Sequence, residues 1–141
     1  MMGLDFSDVL LVPTLNSSNI TSRKDINLTT TYLFKNNKSW TGVPLIASNM
    51  DTVGTMKMYH ALSKYKIITC FSKHIEAKDF PLNMNPNYFM VSCGTSQEDL
   101  QRLHSIMERI PVKFICIDVA NGYLKKVQEV TQKLAALHPN C

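Results

Sequence analysis

Four short apolar runs give the chain its rhythm. They are Val43-Pro-Leu-Ile-Ala-Ser-Asn49, Lys66-Ile-Ile-Thr-Cys-Phe-Ser72, Tyr88-Phe-Met-Val-Ser-Cys93 and Lys113-Phe-Ile-Cys-Ile-Asp-Val119. Each has the length of a strand, is apolar on both faces and is rich in β-branched or aromatic residues, as the strands of a buried parallel sheet are. Their first residues, 43, 66, 88 and 113, lie 23, 22 and 25 residues apart. A parallel pair needs a crossover of a dozen residues or more, normally a helix.

Helical spacing fills three of the four following segments. Leu100, Leu103, Ile106, Met107 and Ile110 recur on one face, with Thr95 and Glu98 placed as a capping box. Leu124, Val127, Val130, Leu134 and Leu137 make a second stripe, and Met58, Ala61, Leu62 and Tyr65 a weaker third. Between the second and third runs, Pro81 and Pro86 leave room only for a short helix. The first 40 residues differ in character. They hold an apolar run from Val9 to Val12, a Ser/Asn-rich stretch from Asn16 to Asn19, and an alternating segment, Ile26–Phe34, that reads as a partly exposed strand. Residues 1–40 are therefore taken as an N-terminal cap and residues 43–141 as four β-then-α units of one domain, with no inserted domain.

Consecutive β/α units argue for a parallel α/β protein, and periodicity leaves a doubly wound sheet and a barrel both open. Either architecture places ligands at the carboxyl ends of its strands. Those ends are Ser48-Asn-Met-Asp51, Ser72-Lys-His74, Ser92-Cys-Gly-Thr95 and Asp118-Val-Ala-Asn-Gly122, all of them polar loops of small residues. No G-x-G-x-x-G follows any strand, which disfavours an unrelated dinucleotide-binding module.

Composition narrows the function classes. With 45% hydrophobic and 18% charged residues the 141-residue chain has a globular profile. Its net charge of +4 is spread along the chain, not gathered in a stripe, so a nucleic-acid partner is not expected. No run approaches the roughly 20 apolar residues of a membrane span. The start carries Asp5 and Asp8 and no basic region before its apolar run, unlike a secretory signal. A cytoplasmic protein is expected. Cys70, Cys93, Cys116 and Cys141 form no CxxC and no Cys–His cluster at metal spacing, so reduced thiols are expected and a metal site is not.

The strand ends are also recognisable as motifs. LDFSDVLLVP, GVPLIASNMDTVGT, SKH, SCGT and IDVANGY, in that order, resemble the IMP dehydrogenase/GMP reductase family from about Leu4 to the last residue. NMDTVGT and DVANGY are the specific parts. Only 15 residues, 73 to 87, separate the second and third strands, where dehydrogenases of the family usually carry a regulatory insert. Asp-Val-Ala-Asn-Gly-Tyr is the form of the reductase branch, where dehydrogenases tend to have Asp-Ser-Ala/Ser-His-Gly.

The resemblance implies a TIM (β/α)₈ barrel, of which this chain covers an N-terminal segment and roughly the first four β/α units. It also implies NADPH-dependent reductive deamination of GMP to IMP with release of ammonia. The family's cysteine nucleophile attacks the purine and divides a difficult displacement into two steps. By the same resemblance Asp118, Val119, Ala120 and Lys73 meet the NADP cofactor, and Ser22 and Arg23 reach that of a neighbouring subunit. Ser48 and Met50 stand beside the substrate nucleotide. The family's homotetramer and monovalent-cation (potassium) site are implied as well. Each residue has a plainer reading: Asp118 as the cap of a turn, Lys73 and Arg23 as solvated cations, Met50 as packing at the barrel mouth.

The chain departs from the pattern at Ser72, where reductases commonly have His, and by two extra residues between Pro13 and Arg23. The nucleophile loop, G-x-G-S-x-C-T-T-R, does not occur in it, nor do the cation loop and the substrate-phosphate loops. None of the four cysteines aligns with the nucleophile. The chain is therefore expected to be a fragment, inactive by itself. The alternatives are a non-catalytic half-barrel that pairs with another chain, or an IMP dehydrogenase relative without its insert.

Overall fold

The computed structural model describes residues 3–13, 15, 20–35 and 37–141, so the Asn16–Asn19 stretch lies outside the described residues. In chain order the elements are β1 (Thr30–Leu33), β2 (Ser39–Gly42), β3 (Ile46–Ala47), α1 (Met56–Leu62), β4 (Ile68–Phe71), β5 (Phe89–Cys93), α2 (Gln97–Arg109), β6 (Ile115–Ile117) and α3 (Lys125–Leu137). A 3-10 turn, Ser63–Tyr65, prolongs α1, and another, Ala77–Asp79, is the whole of the short helix between β4 and β5. Pro81 ends that segment because proline cannot continue the hydrogen-bond ladder.

β3, β4, β5 and β6 form a parallel sheet in chain order, with Ile46 opposite Ile68, Cys70 opposite Met90 and Ser92 opposite Cys116. β4 is buried along its whole length and β5 nearly so, which is why their sequences are apolar without alternation. The two flanking strands are wetter. Ile46 on β3 is 56% exposed, and all three residues of β6 are only half-buried. The first apolar run thus contributes two ladder residues where seven matched the pattern, because an edge strand has one neighbour to define it.

Side chains alternate between the faces of the sheet. On one face Phe71, Phe89, Val91 and Cys93 pack against Tyr59 of α1 and Leu103 and Ile106 of α2, with Phe80 from the β4–β5 connection. The rings of Phe71 and Phe80 meet edge-on at 5.1 Å between centroids, and those of Tyr59 and Phe89 at 6.0 Å. Phe71, Phe80 and Phe89 are essentially fully buried, each worth about 1.5–3 kcal/mol. On the other, concave face lie Ile68, Cys70, Met90, Ser92 and Cys116.

β1 and β2 pair as an antiparallel hairpin that closes the amino-terminal end of this concave face. Tyr32, Phe34 and Trp40 bound a cavity of about 260 Å³ together with Leu45, Ile46, Ile68, Met90 and Phe114. The Trp40 indole donates to the Asn87 carbonyl at 2.7 Å, fixing the hairpin to the β5 entrance. Only Thr30–Leu33 of the expected strand Ile26–Phe34 is extended in a ladder, since β2 offers four partners and no more. The hairpin, not the whole leading segment, does the covering: Phe6, Leu10 and Leu11 are each at least 93% exposed.

The α2 cap falls one residue later than the sequence pattern suggests. Ser96 is the N-cap, and Ser96 and Asp99 form the reciprocal box, in place of Thr95 and Glu98. Both registers carry hydroxyl and acid at the required spacing.

Candidate functional site

Each carboxyl strand end turns on local chemistry. After β3, Gly54 donates its amide to the Met50 carbonyl at 2.7 Å and accepts from the Ser72 amide at 3.1 Å. A Cβ at Gly54 would fall on the Cys70 carbonyl and the Ser72 amide, so this backbone contact requires glycine. The buried Ser72 hydroxyl donates to Asp51 at 2.7 Å, tying the loop after β3 to the exit of β4. His74 stands 3.8 Å from the same carboxylate, but both side chains are about two-thirds exposed or more, and the ion pair is worth little.

After β5, Arg102 of α2 donates to the Ile75 carbonyl at 2.8 Å and to the Ser92 carbonyl. This guanidinium joins the β4 and β5 exits. The Asp99 carboxyl is held below its ordinary range first by the Ser96 hydroxyl, then by the Ser96 and Gly94 amides and the Arg102 charge.

The widest span is closed by one hydrogen bond. Asn49 Nδ2, just beyond β3, donates to Asp118 Oδ2, just beyond β6, at 2.8 Å. The two strands are three sheet positions apart, roughly 14 Å on a flat sheet. The bond therefore records curvature: the sheet is an arc whose carboxyl ends converge. Asn121 Oδ1 accepts from the Tyr123 amide at 3.0 Å, so it is Asn121 that braces the following turn, and Asp118 turns across the mouth.

Two thiols sit beneath this mouth on the concave face. They perturb one another: Cys70 draws the Cys116 thiol below the ordinary thiol range, against the opposing effects of burial and the Asp118 charge. The Cys70 thiol is raised by the hydrogen bond it shares with Cys116 and by burial. Cys93, on the helix-facing side, is pushed up to about 11, mainly by burial. Among the described residues no group of three or more His, Cys, Asp or Glu side chains could hold a metal ion.

The residues singled out in the sequence are dispersed. Asp118 lies at the mouth with Val119 and Ala120 next along its loop, and Ser48 and Met50 flank Asn49 in the loop opposite, both exposed. Lys73 lines a shallow groove of about 300 Å³ with His74, Glu76, Glu98, Asp99 and Arg102. Ser22 caps the Arg23–Asp25 turn, its hydroxyl accepting from the Lys24 amide at 3.3 Å, and both Ser22 and Arg23 are exposed in the leading segment. Asn49, which makes the cross-mouth bond, was not singled out. The sequence marks it only by its place in a polar loop after an apolar strand and at the head of the NMDTVGT motif.

No family model matches the chain. It is 42% identical to a GMP reductase of Caenorhabditis elegans over 96% of its length, and 41% identical to GMP reductase 1 of Homo sapiens over 98%. The GMP reductase of Shigella boydii is 39% identical over 98%. The chain spans 40–42% of the length of these relatives. Among solved structures it superposes on the inosine 5′-monophosphate dehydrogenase of Legionella pneumophila with a TM-score of 0.71 and 26% identity, over 94% of this chain and 40% of that one. No helix among the described residues is long and apolar enough to cross a membrane. The curved parallel sheet, the crossover helices and the matched strand-end motifs agree: along nearly its whole length the chain is similar to members of the IMP dehydrogenase/GMP reductase family, and its fold is part of a (β/α)₈ barrel.

Proposed function

We propose that this chain is the cofactor-facing part of a GMP reductase, an oxidoreductase that converts GMP to IMP and ammonia with NADPH. The observation that carries the reading is the identity of about 40% to GMP reductases along nearly the whole chain, against 26% to the dehydrogenase structure. The short β4–β5 connection points the same way.

The donor set suits the cofactor. Asp118 presents an exposed carboxylate at the mouth, where a ribose hydroxyl can donate to it, with Val119 and Ala120 beside it. Lys73 supplies an exposed cation for a phosphate, and by the family resemblance the exposed Ser22 and Arg23 would meet a neighbouring subunit's cofactor. NADPH, when bound, supplies the hydride. What these residues contribute is orientation and charge, which can lower a barrier by holding the reactants in line. Ser48 and Met50 border the place of the purine nucleotide. A potassium ion and a homotetramer belong to the same reading, as does a cytoplasmic location.

The chemical nucleophile is not among this chain's residues. Cys70, Cys93 and Cys116 lie within strands, and no G-x-G-S-x-C-T-T-R segment occurs. The 141-residue chain alone should therefore oxidise no NADPH in the presence of GMP. The protein that carries it should be purified from its source and assayed with both substrate pairs. GMP-dependent NADPH oxidation with ammonia release is the expected result. Preference for IMP with NAD would move the protein to the dehydrogenase branch, and inactivity with both pairs would leave a non-catalytic half-barrel.

A further inference from the structure

We infer that Asn49 is a positioning residue for Asp118, holding one carboxylate oxygen across the mouth of the arc so that the other is presented to a ribose hydroxyl of the cofactor. This rests on the proposal that Asp118 receives NADPH, and adds to it a residue on the opposite side of the site.

The geometry is specific. Asn49 Nδ2 reaches Asp118 Oδ2 at 2.8 Å across the width of the four-stranded sheet. Asp118 is exposed, and nothing in its own loop braces its carboxylate, because the turn at 121–123 is closed by Asn121. An exposed Asp side chain rotates freely about two torsions, and each rotamer lost on binding weakens affinity. The amide removes that freedom in advance. A hydrogen bond to a carboxylate is among the stronger neutral-to-charged contacts. With Oδ2 engaged, Oδ1 is left as the acceptor, so the site takes one hydroxyl in a fixed direction. The backbone on the Asn49 side is fixed as well: Gly54 and Asp51 tie that loop to the β4 exit through Ser72.

The test is a titration of the 141-residue chain with NADPH, followed by cofactor fluorescence, for wild type, Asn49→Ala, Asp118→Asn and the double variant. Asp118 is exposed and Asn49 half-buried, and neither belongs to the apolar core, so the variants should keep the wild-type Tm, which circular dichroism checks. Asn49→Ala should weaken NADPH binding about tenfold, and the double variant should be no weaker than Asp118→Asn alone, as expected of residues acting as a unit. Wild-type affinity in Asn49→Ala, or independent additive losses, would overturn the inference while leaving the cofactor reading intact.

If wild type binds no NADPH, the cofactor reading fails for this chain. The tie itself is then decided by hydrogen exchange of the Asn49 side-chain amide. Exchange slower in wild type than in Asp118→Ala supports the positioning bond, and equal exchange overturns it.

Discussion

At the scale of single residues, the concave face holds two thiols with opposite character. Cys116 is drawn below the ordinary thiol range by its neighbour Cys70, which is itself raised. We expect an alkylating reagent such as iodoacetamide to label Cys116 ahead of Cys70 and Cys93, with a rate that rises at lower pH than for an ordinary thiol. Removing that neighbour with Cys70→Ala should shift that profile upward toward the ordinary thiol value of 9.0. Mass-mapped labelling across pH reads this, and an unmoved profile would show that Cys70 is not the cause. Gly54 is the other residue with a single decisive constraint. Because a Cβ there collides with β4 backbone, Gly54→Ala should destabilise the chain by more than about 2 kcal/mol, measured by urea denaturation. A change under about 0.5 kcal/mol would mean that the loop can move away from β4.

At the scale of elements, legibility followed burial. β4 and β5 could be read from the sequence because both faces are covered, which leaves an uninterrupted apolar signature in IITCF and YFMVSC. β3 was over-read for the same reason in reverse: an edge strand keeps the apolar sequence but loses half its ladder. The β1–β2 hairpin was only half visible. β2 is four residues long, and its Trp40 is buried by long-range contact with the β5 entrance, which no local pattern records. The α2 cap was ambiguous by one residue because Thr95/Glu98 and Ser96/Asp99 satisfy the same spacing. The true box has a consequence in acid. Asp99 titrates below its ordinary value of 3.8 in the folded chain, so its stabilising effect is present above that value and is lost as pH falls through the lower, folded one. Asp99→Asn should flatten the acid limb of the stability profile at pH below about 3.8. A thermal melt series from neutral pH downward checks it, and an unchanged acid limb would remove Asp99 from the account.

At the scale of the whole molecule, four β/α units make an arc with exposed apolar residues at its β3 edge and half-buried ones at β6. Strand-end motifs made the site's general location legible, because parallel α/β folds bind ligands at the carboxyl ends of their strands. They did not reveal Asn49 as the partner of Asp118. The two are 69 residues apart, and only closing curvature brings them together. Nor did sequence spacing show that Lys73 shares a groove with Arg102 and three acids.

If these strand-end loops receive NADPH, the cofactor's footprint on the chain should map to them. Amide chemical shifts of the labelled 141-residue chain should be followed as NADPH is added. The shifts should concentrate at residues 48–50, 73 and 118–120, with the hairpin at 30–42 unaffected. No shifts, or shifts gathered around the hairpin cavity at the opposite end of the sheet, would contradict the cofactor reading.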